Sequence, residues 1–166
     1  MTDKKTQIPI PPRGTKGSQM PATRVLRVVG KPFITRELRR LEDPAATEQK
    51  TFMGFPVAVV TTIGAKSGEE RKQVLGVFPD GDNAWLVIAS NSGARAHPHW
   101  FVNIAKNPDR VWLTIAGKRI RVNVESLQGK ERTDAYARVV AAAKNYAGYP
   151  TKTDREIPVL RLTPAE

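Results

Sequence analysis

The sequence contains no cysteine among its 166 residues. Disulfides, thiolate metal sites and cysteine nucleophiles are therefore excluded. No apolar run approaches the roughly 20 residues that a membrane-spanning helix needs, and the first residues do not resemble a secretory signal. Aromatic residues make up only 7% of the chain, whereas the hydrophobic fraction of 40% is ordinary for a soluble domain. These features predict one cytoplasmic domain that buries its core without cross-links.

Positive charge is abundant but unevenly distributed along the chain. The formal net charge is +11, of which residues 1–42 carry +7 and the remaining 124 residues only +4. The body of the protein is thus mildly basic. Its predicted strand face with Arg119 and Arg121 carries no aromatic residues that would stack on bases. The sequence therefore argues against nucleic-acid binding.

The N-terminal quarter divides into two segments. Residues 1–22 are rich in proline, glycine and lysine and lack hydrophobic periodicity, which predicts a disordered basic tail. Residues 23–50 begin with an amphipathic basic pattern that breaks at Gly30-Lys31-Pro32, which predicts one or two short helices. The apolar side of such a helix either covers the core or attaches residues 23–42 peripherally to an anionic membrane surface. Both interpretations remain open from the sequence.

Residues 51–166 have the pattern of a mainly β domain. Short β-branched runs alternate with tight turns, and the predicted strands are 55–63, 71–78, 84–90, 110–116, 118–126 and 157–162. Helices are predicted only at 97–107 and 130–146. Strands that are joined mainly by turns predict a small antiparallel barrel.

The segment TTIGAKSGEER, residues 61–71, combines glycine with cations after a predicted strand. It lacks the spacing of a nucleotide P-loop, and the chain has no GxGxxG motif in a βαβ unit. Its backbone N–H groups are suited to binding an anion, with Lys66, Ser67, Arg71 and Lys72 close by. A solvated basic turn explains the same residues equally well.

A second candidate site lies in ASNSGARAHPHWFVNI, residues 89–104. Trp100 and Asn103 are three positions apart on a predicted helix, so both can face one ligand. His97 and His99 suggest a metal, but neither cysteine nor a neighbouring carboxylate completes a ligand set. Histidines that cap or pack a helix start are the better interpretation, and no metal site is predicted.

Three segments resemble the deazaflavin-dependent nitroreductase family in their order and spacing. They are residues 61–71, PDGDNAWLVIASNSGARAHPHWFVNIAKNP at 79–108, and YAGYPTKTDREIPVLRL at 146–162. The resemblance covers roughly residues 52–163. It implies a split β-barrel of the FMN-binding type over residues 51–166, with a few helices and a basic N-terminal extension. It also implies binding of coenzyme F420, an 8-hydroxy-5-deazaflavin.

The resemblance further implies a location for each part of the cofactor. The anionic phosphate and glutamate tail would bind the loop at 61–71, and the ring would lie beside residues 89–91 and the following helix. The implied cofactor-binding residues are Thr61, Ala65, Lys66, Ser67, Gly68, Arg71, Lys72, Ala89, Ser90, Asn91, His99, Trp100, Asn103 and Tyr146. The implied catalytic residues are Ser90, for a hydrogen bond near the ring, and Tyr146 and Tyr149, for substrate stacking or proton supply.

This sequence departs from the family's pattern at several positions. Ala65 stands in place of a common arginine and Asn91 in place of a common lysine, while Gly76 and Ala143 occupy tyrosine positions. The expectation is a retained cofactor site with a wider, less aromatic substrate pocket.

The predicted activity is hydride transfer from reduced coenzyme F420 to a quinone, enone or nitroaromatic. The alternative is a protein that only binds or carries coenzyme F420, a flavin or haem. A homodimer is expected by analogy with other split barrels.

Overall fold

The computed structural model describes residues 7–19 and 31–166. Residues 1–6 of the predicted tail and residues 20–30, which include the first part (23–30) of the amphipathic segment, lie outside the described residues. The helices are α1 Lys31–Glu42, α2 His99–Lys106, α3 Gly129–Ala142 and α4 Tyr149–Lys152. The strands are β1 Thr51–Phe52, β2 Phe55–Ile63, β3 Glu70–Gly76, β4 Phe78–Pro79, β5 Trp85–Ile88, β6 Trp112–Ile115, β7 Lys118–Ser126 and β8 Val159–Pro164.

The strands form one antiparallel sheet that curls into a half-open barrel. Its order is β1-β2-β6-β7-β8-β5-β4, and β3 pairs with β2. The longest pairing joins β2 to β3, from Val57 opposite Gly76 to Ile63 opposite Glu70. The prediction of a mainly β, split-barrel fold is thereby confirmed.

Strand β2 is buried on both faces, which explains its continuous β-branched sequence. Ala58 and Val60 point into the barrel, where Phe101 and Ile104 of α2 pack against the same cluster. Val57 and Val59 point the other way and pack under α1. Strand β2, from which the following loop emerges, therefore lies between the barrel core and α1.

Helix α1 covers the outer face of β2 with Leu38 and Leu41. Leu41 is only 4% exposed, whereas Phe33 and Ile34 near the helix start are exposed. From Lys31 onward, α1 therefore fits the core-covering interpretation along one side and leaves two apolar side chains uncovered. No helix in the described ranges is long and apolar enough to cross a membrane.

The N-terminal strap, residues 7–19, differs from the predicted disordered tail. Its backbone is hydrogen-bonded to the body: Ile8 N–H donates to the Ala105 carbonyl at 3.1 Å, and Gly14 N–H to the Arg95 carbonyl at 2.9 Å. The Asp154 carboxylate accepts the N–H groups of Thr15 and Lys16 at 2.8 and 2.9 Å. A composition argument misses such order because the partners lie far away in the sequence.

Candidate cofactor and substrate site

The hairpin loop between β2 and β3 is closed by its own backbone. Gly64 N–H donates to the Glu69 carbonyl at 2.8 Å, and Gly68 N–H donates to the Gly64 carbonyl at 2.8 Å. The adjacent N–H groups of Lys66 and Ser67 have no partner in the described part of the chain. The anion-binding capacity predicted for the whole segment thus narrows to two consecutive amides at the loop tip.

The cations of this loop differ in how far they are already neutralised. Arg71 pairs with Glu69 at 2.9 Å and also donates to the Ser67 hydroxyl at 3.4 Å. Lys72 pairs with Glu42 of α1 at 2.6 Å. Lys66 is exposed and has no acidic partner among the described residues. Because exposed ion pairs contribute little, Arg71 can exchange Glu69 for a ligand anion at small cost.

Asn103 of α2 ties this loop to the barrel. Its Oδ1 accepts the Ala65 N–H at 3.0 Å, and its Nδ2 donates to the Thr62 hydroxyl at 3.3 Å. Both ends of the amide are therefore engaged within the protein. Thr61, in contrast, is fully buried and its hydroxyl has no partner among the described residues. The sequence reasoning named Thr61 and missed Thr62, although strand alternation places Thr62 on the barrel side with Val60.

The segment after β5 has an unusual backbone. Ala89 is fully buried, Ser90 is half-buried, and Asn91, Ser92 and Gly93 have φ values of +44°, +53° and +78°. A Cβ at Gly93 would lie 2.6 Å from Lys152 Cβ, so only glycine fits there. The Asn91 side chain is turned back, because its Nδ2 donates to the Ala96 carbonyl at 2.9 Å.

Arg155, which the sequence reasoning missed, lies behind this segment. Its guanidinium donates to the carbonyls of Ser90, Ala94 and Ala89 at 2.6, 2.8 and 3.2 Å. Its Nη1 also lies 3.3 Å from His97 Nδ1, while His97 Nε2 lies 2.7 Å from the Pro11 carbonyl of the strap. These partners assign a neutral His97 that accepts at Nδ1 and donates at Nε2. The sequence around Arg155 contains no motif that predicts a buried arginine bound to carbonyls of a distant segment.

His99 and Trp100 occupy the first turn of α2. His99 is exposed, whereas Trp100 is half-buried and packs against the barrel core. His97 is engaged by Arg155 and the strap, and the described residues contain no group of three side chains that could hold a metal ion.

An aromatic cluster surrounds Tyr146. Its ring centroid lies 5.4 Å from that of Phe78, 6.2 Å from Phe55 and 5.3 Å from Tyr149, all close to perpendicular. Burial, together with the neighbouring Tyr149, raises the pKa of Tyr146 to about 12. Tyr146 therefore keeps its proton at neutral pH.

The surroundings of Tyr146 differ from the expected wide pocket. A Cβ at Gly76 would lie 2.9 Å from the Tyr146 hydroxyl oxygen, so Tyr146 fills the space left by the absent side chain. Ala143 is also buried, in the same cluster. Tyr149 is half-buried, and its hydroxyl accepts from Asn145 at 3.2 Å.

Strand β3 connects the two parts of the site. Arg71 lies near its start and Gly76 at its end, a separation of roughly 17 Å at the rise of an extended strand. The cationic loop and the aromatic cluster thus lie at opposite ends of one strand. An elongated ligand with an anionic tail and a flat ring fits this arrangement.

A comparison with known proteins decides the family. The model of a family described as F420H(2)-dependent quinone reductase matches residues 35–164. The chain belongs to this family. The match begins inside α1 and thus extends further towards the N-terminus than the resemblance read from the sequence.

Individual relatives agree with this result. An F420H(2)-dependent quinone reductase of Mycobacterium tuberculosis (strain ATCC 25618 / H37Rv) is 34% identical over 113 residues, which is 65% of this chain and 73% of the relative. A solved F420-H2 dependent reductase, FDR-A, is 34% identical with a TM-score of 0.57, covering 64% of this chain and 92% of its own. A solved structure described as a domain-swapped dimer is 30% identical with a TM-score of 0.60, covering 80% of this chain and 98% of its own.

Membership of this family confirms three predictions. The chain is an enzyme, its reductant is coenzyme F420H2, and its activity is that of a quinone reductase. The predicted alternative of a carrier without turnover is not what the family describes.

Proposed function

We propose that this F420H2-dependent quinone reductase binds its cofactor along β3, between the hairpin loop and the Tyr146 cluster. The proposal rests on one observation above all: the Lys66 and Ser67 amides, which have no partner among the described residues, lie at one end of β3, and the aromatic cluster lies at the other. The tail phosphate would bind these amides together with the Lys66 ammonium and the Arg71 guanidinium. The ring would then lie beside Ala89, Ser90 and Asn91.

In this arrangement the protein's own groups bind, orient and supply hydrogen bonds. When bound, the reduced deazaflavin supplies a hydride. Tyr146, with a pKa of about 12, presents a protonated hydroxyl that can donate a hydrogen bond to an acceptor oxygen. Tyr149 would stack on the quinone, and the half-buried Ser90 would donate a hydrogen bond near the ring. Asn103 would act by holding the tail loop on α2.

The tail site is tested by removing its cations. In Lys66→Ala/Arg71→Ala we expect the Kd for coenzyme F420 to rise at least 10-fold, because each charge-assisted hydrogen bond contributes about 1.5–3 kcal/mol. A fluorescence titration measures this effect, and it should grow with the number of glutamates in the tail. Lys118→Ala, which removes an exposed cation at the start of β7, is the control. An unchanged Kd in the double variant would refute the tail site.

The acceptor is tested by mixing the protein with F420H2 and a panel of quinones, enones and nitroaromatics. We expect the quinones to reoxidise the cofactor. Tight cofactor binding without reoxidation by any acceptor would instead support the carrier function.

We also propose that the chain forms a homodimer. The support is the relative that was solved as a domain-swapped dimer and is 30% identical. Light scattering on the purified protein tests this: a monomer mass at micromolar concentration would contradict it.

A peripheral membrane contact through residues 23–42, on the inner face of the cell membrane, has support only from α1. Phe33 and Ile34 are 57% and 42% exposed, and Arg36, Arg39 and Arg40 lie on the same helix. Co-sedimentation with anionic and neutral vesicles tests the contact, which the variant Phe33→Ser/Ile34→Ser should weaken. The cytoplasmic location remains a prediction.

A further inference from the structure

Arg155 carries a buried positive charge that no acidic side chain neutralises within the described residues. The residue is only 6% exposed. Its hydrogen bonds run to the carbonyls of Ser90, Ala94 and Ala89, and its Nη1 also faces His97 Nδ1. Burying a charge is costly unless its hydrogen bonds are satisfied, so the contacts must offset that cost.

The segment that Arg155 holds is one that needs external support. Asn91 and Ser92 adopt left-handed backbone conformations without being glycine, at φ +44° and +53°. Such residues persist only where the surroundings determine the conformation. Arg155 stabilises this conformation from one side, because its guanidinium donates to the carbonyls before and after the turn. Within the turn, the Asn91 side chain donates to the Ala96 carbonyl.

The shape of the guanidinium suits this task. Its planar fork reaches several acceptors at fixed angles, whereas a lysine ammonium is a point charge on a flexible stem. Through His97 the same group is connected to the strap, since His97 Nε2 donates to the Pro11 carbonyl. The conformation of residues 89–95 thus depends on a side chain about 60 positions further along the chain.

We infer that Arg155 is a positioning residue, which fixes the backbone of residues 89–95 and thereby places Ser90 beside the deazaflavin ring. This inference rests on the proposed location of the ring. Arg155 itself touches neither the proposed tail loop nor the aromatic cluster in the described contacts. Removal of the Arg155 guanidinium should therefore affect the rate of the chemical step more than the affinity for the anionic tail.

The test compares Arg155→Lys with Arg132→Lys. Arg132 is a matched control because it also donates to a backbone carbonyl, that of Ile157, but makes no bond to residues 89–95. We expect Arg155→Lys to lower kcat by about 10²-fold, since a displacement near 1 Å can cost that much. The Kd for coenzyme F420 should change less than about 3-fold, because the tail loop is intact. Arg132→Lys should change neither value more than about 3-fold.

Lys66→Ala/Arg71→Ala should instead raise the Kd for coenzyme F420 at least about 10-fold, so that the two variants differ in whether affinity is lost. General unfolding of Arg155→Lys would lower both kcat and the affinity for coenzyme F420. A loss of kcat with little change in the Kd therefore distinguishes a positioning role from a loss of stability. A wild-type kcat in Arg155→Lys, or an equal loss of kcat and affinity, would overturn the inference.

Hydrogen exchange gives a readout that does not depend on turnover. In the wild-type protein we expect amides of residues 89–95 to exchange as slowly as those of β5, and Arg155→Lys should accelerate them selectively. If the amides of residues 89–95 in the wild-type protein exchanged as fast as those of the exposed hairpin loop, the inference would be overturned. This result does not require Arg155→Lys to fold. Slow exchange in a protein that lacks reductase activity would refute the proposed function and leave the role of Arg155 in the segment intact.

Discussion

Tyr146 lies so close to Gly76 that the glycine has no space for a side chain. A Cβ there would lie 2.9 Å from the Tyr146 hydroxyl and 3.2 Å from ring atoms of Phe55 and Phe78. The φ angle of Gly76 is not in the left-handed region, so the constraint is contact and not backbone strain. The sequence predicted empty space at Gly76, where the family has a tyrosine. In the structure, the side chain of Tyr146 fills that space.

We expect Gly76→Ala to destabilise the protein by about 1–3 kcal/mol, the usual cost of overpacking a core, and to displace the Tyr146 ring. Urea unfolding measures the stability, and Tyr146 fluorescence or NMR measures the displacement. Gly148→Ala is the control, because a Cβ there would contact nothing within 4 Å and φ is −78°. Equal stability of both variants would show that the cluster is looser than described.

His97 joins the strap to Arg155 only in its neutral form. Burial lowers the pKa of His97, and the positive charge of Arg155 lowers it further. The hydrogen bond to the Pro11 carbonyl and the charge of Glu156 raise the pKa in part. Protonation would turn Nδ1 into a donor that faces the Arg155 guanidinium. The histidine thus favours the docked strap at neutral pH.

The free energy of unfolding should therefore fall as the pH drops below 6.5, the ordinary value of the group, until the lowered pKa of the folded state is passed. Above pH 6.5 the contribution is fully present. Histidine NMR in His99→Gln, which leaves His97 as the single histidine of the two in the chain, measures the folded pKa directly. A folded pKa above 6.5 would contradict the neutral bridge.

Strand β2 shows how one element divides its side chains between two environments. Thr62 points to the barrel, where its hydroxyl accepts from Asn103 and lies 3.4 Å from the Arg71 carbonyl. Thr61 lies on the face of Val57 and Val59 under α1, and its buried hydroxyl finds no partner in the described chain. Adjacent threonines thus have opposite energetic roles.

We expect Thr61→Val to stabilise the protein by about 1 kcal/mol, because it removes an unsatisfied buried hydroxyl without changing the volume much. Thr62→Val should destabilise it by about 1–3 kcal/mol, because it leaves the Asn103 amide without an acceptor. Thermal or urea unfolding measures both. If Thr61→Val instead raised the Kd for coenzyme F420, Thr61 would contact the cofactor as the resemblance implied.

One charged cluster connects distant parts of the whole molecule. Asp80, in the turn after β4, bonds Arg161 of β8 at 2.6 Å and Arg138 of α3 at 2.7 Å. Arg161 in turn bonds Glu125 of β7 at 3.1 Å and Glu131 of α3 at 2.7 Å. The Asp80 and Arg161 side chains are only 11% and 22% exposed, so this central pair is better shielded from water than a surface pair, whereas the outer partners of the network are more than half exposed.

Asp80→Asn should lower the free energy of unfolding by about 2 kcal/mol, since hydrogen bonds to charged groups contribute roughly 1.5–3 kcal/mol. Urea unfolding measures the loss. Asp82→Asn, at an exposed position of the same turn, is the control and should stay within about 0.5 kcal/mol of the wild type. A loss of the same size in both variants would mean that net charge, and not the cluster, causes the effect.

The success of the sequence analysis differed between segments for physical reasons. Local signals identified the hairpin loop, because glycine and cations between two apolar runs are contiguous in the chain. They failed for Arg155, whose carbonyl partners lie at residues 89–94, and for the strap, which is held by Asp154 and Arg95. The same signals selected Thr61 as a cofactor-binding residue. In the structure it is Thr62 that is connected to the loop, through Asn103.

By itself, the order of residues in this chain determined the strand periodicity, the turns, the absence of thiol chemistry and the family motifs. These properties depend on neighbours within a few positions, and they suffice for the split barrel and the F420H2-dependent reductase. Only the tertiary structure decided that Asn103 ties the hairpin loop to α2, that Tyr146 fills the space beside Gly76, and that Arg155 holds the segment after β5. Those features arise from contacts between residues dozens of positions apart, which close only when the chain has folded.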